Sequence, residues 1–68
     1  MTEQTERRED FIRLPEVMRR SGLSRSEIYR RMAANTFPKS HRLGHRTACW
    51  TVGEIDDWKA DVRLKDLL

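Results

Sequence analysis

Two S/T-x-x-E spacings, a glycine between two short amphipathic segments and a Gly-His pair between two alternating segments set the fold class. Together they predict a mainly α-helical fold with a small β-hairpin, a winged helix-turn-helix. The chain has 68 residues, room for one small domain whose stability is modest.

The elements follow in chain order. Residues 1–10 carry no apolar residue after the initiator and read as a disordered lead. Residues 11–14 alternate apolar and polar, a short extended entry that packs Phe11 or Ile12 on the core. Pro15 suits the first helical position, where a missing N–H costs nothing, and opens a helix over residues 15–21 with Val17 and Met18 inward. Gly22 closes it, because a left-handed residue without a Cβ meets no clash. Leu23 plugs the turn.

Ser24 and Glu27 then form a capping box for a helix over residues 25–34. Ile28 and Met32, four apart, are its buried stripe. Ser26, Arg30 and Ala33 fall on the opposite face, with Tyr29 on one flank and the Glu27–Arg31 pair on the other. Asn35 ends the helix, since asparagine tolerates positive φ. Residues 39–43 and 47–50 flank Gly44-His45 as hairpin strands. Period-2 geometry turns Ala48 and Trp50 inward, groups His41 with Leu43, and points Arg42, Arg46 and Cys49 away from the core. Thr51 and Glu54 cap a third helix that faces inward through Ile55, Trp58 and Val62. Residues 11–62 thus form the domain, and residues 63–68, with Leu64, Leu67 and Leu68 off the inward stripe, a tail that frays or touches another subunit.

Charge singles out a partner. Residues 19–46 carry eight basic side chains against Glu27 alone, a net +7, while residues 1–18 and 47–68 are each net −2. Such a block attracts a polyanion and makes binding depend on salt through counterion release. A turn between two short helices, with Arg, Ser and Tyr leading the second, is how a reader of double-stranded DNA is built. Arg30 is the first candidate for base contact and Arg25 the next, because the guanidinium fork matches two guanine acceptors. Ser24, Ser26 and Tyr29 suit phosphate or sugar contacts near the helix N-terminus. The tip Gly44-His45-Arg46 would be the wing, with Arg46 entering the minor groove, His45 beside it on the tip and Lys39 and Arg42 on phosphates.

Other classes fare worse. Cys49 is the single cysteine, so no intrachain disulfide forms, as expected of a reducing cytoplasm. There is no apolar run of membrane-spanning length and no secretory leader pattern. His41, His45 and Cys49 lack a fourth ligand of the usual type, and no phosphate loop or H-E-x-x-H occurs, so no metal, cofactor, small-molecule substrate or enzymatic activity is expected.

The motifs Leu14-Pro15-Glu16-Val17, Gly22-Leu23-Ser24-Arg25-Ser26, Ile28-Tyr29-Arg30, Phe37-Pro38 and Arg42-Leu43-Gly44, followed by Arg46 and Trp50, together resemble the AlpA family of prophage regulators. These belong with excisionase-like and MerR-like winged helix-turn-helix proteins, and the match covers residues 11–58. Asn35 stands where the family commonly has glycine, and it can take the same backbone conformation. The resemblance implies a small DNA-binding regulator of a mobile element, with the helix after Ser24 in the major groove and the Gly44–Arg46 turn as wing. The leading expectation is a sequence-specific transcription regulator, with a homodimer or cooperative multimer as possible forms on DNA. The rivals are an architectural excision factor that bends DNA and a protein-interaction adaptor.

Overall fold

The computed structural model describes residues 6–45 and 47–67. It has three helices and a three-stranded antiparallel sheet: β1 (Phe11–Arg13), α1 (Leu14–Ser21), α2 (Arg25–Ala33), β2 (His41–Arg42), β3 (Ala48–Thr51) and α3 (Val52–Leu67). Strand order is β1-β3-β2, so β3 is central. Phe11 lies opposite Thr51, Ile12 opposite Trp50 and Arg13 opposite Cys49. On the other side, His41 meets Cys49 and Arg42 meets Ala48.

Local chemistry sets most boundaries. Helix α1 begins at Leu14, one residue before Pro15, and ends where Gly22, at φ 75°, donates its N–H to the Met18 carbonyl. Ser24 Oγ accepts the Glu27 N–H at 3.2 Å and caps α2. The Glu27 carboxylate does not return that bond but accepts from Arg30 and Arg31 instead. Helix α2 stops at Ala33, and Asn35 takes the expected positive φ, 61°. The Thr36 N–H then reaches back to the Arg31 carbonyl at 2.9 Å. The second capping box is complete: Thr51 N–H donates to Glu54 Oε1 at 2.8 Å, and Glu54 N–H donates to Thr51 Oγ1 at 3.2 Å.

The extended entry is a full third strand, and this corrects the placement of Cys49. Expected to point outward from a two-stranded hairpin, Cys49 is instead 0% exposed. It sits mid-sheet between Arg13 and His41, and the rings of Phe11 and His41 meet edge-on, with centroids 6.2 Å apart, from the strands on either side. Its thiol lies 3.5 Å from the His41 carbonyl, to which it donates. Arg42 remains exposed, but its pairing with Ala48 puts it on the sheet face of Trp50 and Ile12, opposite to that of Cys49.

Residues 6–10, expected within a disordered lead, are docked. The Asp10 and Arg8 carbonyls accept the Val52 and Gly53 N–H groups at 2.9 and 2.8 Å. With Thr51 Oγ1 on the Glu54 N–H, the first three otherwise orphaned donors of α3 are satisfied. Gly53 makes room for this, because a Cβ there would lie 2.9 Å from Arg8 Nη2. That guanidinium also donates to Asp57 at 2.8 Å. Residues 1–5 of the expected lead lie outside the described residues.

The core is Val17, Ile28, Phe37, Trp50 and Ile55, with Ile12, Leu14, Met18, Leu23, Met32, Ala48 and Trp58 packed against it. Phe37 meets Trp58 and Trp50 edge-on at 4.9 and 6.4 Å. Both indoles are polar-satisfied by the α2–β2 loop: Trp50 Nε1 donates to the Pro38 carbonyl at 2.8 Å and Trp58 Nε1 to that of Thr36 at 3.0 Å. The expected inward face of α3 holds, with Ile55 buried and Trp58 and Val62 half-buried. The helix continues to Leu67, and Leu64 is 61% exposed. Leu68 is outside the described residues.

Ion pairs tie the surface and give a pH dependence. Hydrogen bonds from Arg19, then Arg20, hold the Glu16 carboxyl down at about 2 against an ordinary 4.5. Glu6 is lowered chiefly by Arg20, Glu27 by Arg30 and Asp57 by Arg8. A carboxylate more acidic folded than unfolded stabilises above its unfolded pKa, and that contribution is lost as pH falls through the folded value. The melting temperature should therefore fall progressively from about pH 4.5 to about pH 2. Glu16→Gln should flatten that profile at its acid end, and a slope unchanged by the substitution would count against Glu16 as a contributor.

Candidate nucleic-acid interface

Helix α2 presents Ser24, Arg25, Ser26, Tyr29 and Arg30 to solvent, because Ile28 and Met32 turn its opposite face into the core. Arg25 lies over the Tyr29 ring, its guanidinium carbon 5.9 Å from the centroid. That contact orients two long side chains at small cost, since the cation is drawn to the π face. Arg30 is not free-standing: it grips the Glu27 carboxylate with two nitrogens, Nε at 3.2 Å, and Arg31 Nε holds the same carboxylate at 3.1 Å. The expected Glu27–Arg31 pair is present, but Arg30 shares it.

The hairpin tip is shaped by its own backbone. Leu43 N–H donates to the Thr47 carbonyl at 3.0 Å, and Gly44 adopts φ 101°. Arg42 Nη1 donates to the His45 carbonyl at 3.3 Å. Arg46, the expected wing arginine, lies outside the described residues. Lys39 is drawn elsewhere: its Nζ donates to the Met32 carbonyl at 2.8 Å, near the C-terminus of α2 where the helix dipole favours a cation. His41 pairs with Glu54 at 2.8 Å.

Two hollows connect α2 to the hairpin, and Tyr29 and Ala48 line both. One, about 280 Å³, is bordered also by Arg13, Arg25 and Thr47. The other, about 300 Å³, is bordered by Ser40, Arg42 and His45. Arg25, Tyr29, Arg42 and His45 are thus brought onto one concave surface, while Lys39 is committed to the end of α2. Sequence reasoning missed Arg13 and Thr47, because Arg13 sits in a net-acidic block and only the pairing of β1 with β3 brings it here. A larger hollow than these two, about 650 Å³, lies elsewhere, between the α2–β2 loop and the acidic side of α3. Among the described residues no cluster of three or more His, Cys, Asp or Glu could hold a metal ion.

The family model for prophage CP4-57 regulatory protein (AlpA) matches residues 10–64. The chain belongs to the AlpA family. It is 42% identical over 52 residues to uncharacterized protein ORF88 of Enterobacteria phage P4, a match covering 76% of this chain and 59% of that protein. It is also 36% identical over 54 residues to the DNA-binding transcriptional activator AlpA of Escherichia coli (strain K12), covering 71% of this chain and 77% of that one. No solved structure matches.

The AlpA-family match includes β1 and everything through Leu64, so both hollows and every described interface residue fall inside it. No helix among the described residues is long and apolar enough to cross a membrane.

Proposed function

We propose that this AlpA-family chain is a cytoplasmic DNA-binding transcription regulator of a prophage or related mobile element, and not an enzyme. Residues 11–62 act as a winged helix-turn-helix: α1 and α2 form the helix-turn-helix, α2 enters the major groove, and the β2–β3 hairpin lies on the minor groove or backbone. Ser24, Ser26 and Tyr29 take phosphate or sugar, Arg30 and Arg25 reach base edges, and Arg42, His45 and Arg46 serve the wing. Lys39 contributes less than Arg42, because a phosphate contact would require it to leave the Met32 carbonyl.

The observation that carries this reading is the shared concave surface, with α2's polar face and the basic hairpin joined through Tyr29 and Ala48. The name of the Escherichia coli relative, a DNA-binding transcriptional activator, supports the same class. Assembly as a homodimer or cooperative multimer on paired sites is part of the proposal.

Binding to duplex DNA measured against salt tests it. Affinity should fall steeply with salt, and Arg42→Ala should weaken cognate and scrambled duplexes alike while lowering the salt slope by about 1. Binding without salt dependence, or absent altogether, would move the assignment to a protein-interaction adaptor. Bending of the bound duplex would favour an excision factor over a transcription regulator.

A further inference from the structure

Among the described residues, five of the chain's eleven arginines are held by carboxylates. Arg8 holds Asp57, Arg19 and Arg20 hold Glu16, Arg20 also holds Glu6, and Arg30 and Arg31 hold Glu27. Arg13 and Arg25, like Arg7, Arg42 and Arg63, have no carboxylate within salt-bridge distance among the described residues. Arg13 and Arg25 come from different elements, β1 and α2, yet both line the same hollow. No acidic residue lines it, and Tyr29 and Thr47 add hydroxyls. Arg13 is also the N-cap position of α1 and makes no side-chain cap bond, and Leu14 and Pro15 of the first turn of α1 complete the hollow's wall.

Two guanidinium groups without a carboxylate partner and two hydroxyls, with no negative charge among them, are the chemistry that holds a phosphate. We propose that this hollow seats a backbone phosphate of duplex DNA, and that Arg13 of β1 is a positioning residue for α2. The inference rests on the DNA-binding reading and adds a third element, the first strand, to the helix and hairpin. The seat is contiguous with the Arg42–His45 hollow through Tyr29 and Ala48, so one DNA strand can run across both. A phosphate held at the root of α2 fixes its depth in the groove, which base contacts alone do not do.

The test uses the full chain, a duplex containing a site selected in vitro, and a scrambled duplex of equal length. Arg13→Gln should lower affinity for both by about five-fold at 0.15 M salt and reduce the salt slope by about 0.9, the loss of one phosphate contact. Arg13→Lys should keep the slope. Methylphosphonate replacement of single phosphates on the selected duplex should reveal one position at which wild type loses affinity and Arg13→Gln loses no more. Unchanged affinity and slope for Arg13→Gln, with wild type binding normally, overturns the seat and leaves the DNA reading standing. A loss confined to the selected site overturns it as well, because a phosphate contact is blind to sequence. If the wild type itself shows no salt-dependent binding, the DNA reading fails and the seat with it. Should Arg13→Gln melt early, the methylphosphonate scan on wild type and Arg13→Lys decides: no sensitive phosphate means no seat.

Discussion

Trp50→Ala should strip the chain of a large share of its stability and leave it marginally folded at ambient temperature. Trp50 is fully buried on the central strand, opposite Ile12 and edge-on to Phe37. Truncating a buried tryptophan costs about 3–5 kcal/mol through lost transfer energy and the cavity left behind. A chain of this length holds only about 3–10 kcal/mol in total at 0.05–0.15 kcal/mol per residue, so the loss takes from about a third of it to all of it. Trp50→Phe separates two parts of that cost. It keeps an aromatic ring but removes the indole N–H, leaving the Pro38 carbonyl without its 2.8 Å partner, a penalty of about 1–3 kcal/mol if water cannot replace it. Leu64→Ala, on an exposed position of α3, should stay within about 0.5 kcal/mol of wild type. Urea titrations of the three variants measure all of this. A Trp50→Ala midpoint near that of wild type would mean that the two strands and the α2–β2 loop do not depend on this ring.

Features fixed within a few residues of chain were readable in advance. Gly22 and Asn35 take positive φ because the helix ends before them demand it, and Thr51 and Glu54 close a reciprocal box on spacing alone. The third strand was not readable as such. Phe11, Ile12 and Arg13 alternate correctly, but their partners Thr51, Trp50 and Cys49 lie far along the chain, and no turn sequence links the two strands. Alternation tells which residues share a face and not which strand they join. Without β1, Cys49 belongs to an edge hairpin and points to water; with it, Cys49 is the middle of a sheet roofed by Phe11 and His41. The same missing pairing hid Arg13 from the basic surface. Residues 8–10 were opaque for a related reason: they act through backbone carbonyls on α3, and a carbonyl leaves no trace in side-chain composition.

Arg30→Ala should reduce affinity for the selected duplex roughly 5- to 150-fold and relax base preference at one position, while changing affinity for scrambled DNA far less. The side chain's present engagement with Glu27 does not argue against that role. An exposed ion pair is weak, whereas a bidentate arginine–guanine contact discriminates strongly, so exchange of partner is favourable. Glu27 is also held by Arg31 at 3.1 Å. When Arg30 turns to a base, the carboxylate keeps a cation beside it and does not face the DNA as a bare negative charge. Spacing alone cannot apportion Glu27 between residues three and four positions on, and the shared arrangement gives the two arginines different tasks. Glu27→Gln should then raise affinity for all duplexes, because it releases Arg30 and removes a negative charge from the binding face. The Ser24 cap should survive that change, since it uses the backbone N–H of residue 27 and not its side chain. Arg30→Ala in the Glu27→Gln background should still lose base preference. Equal losses on selected and scrambled duplexes for Arg30→Ala, in either background, would make Arg30 a phosphate contact and pass base reading to Arg25.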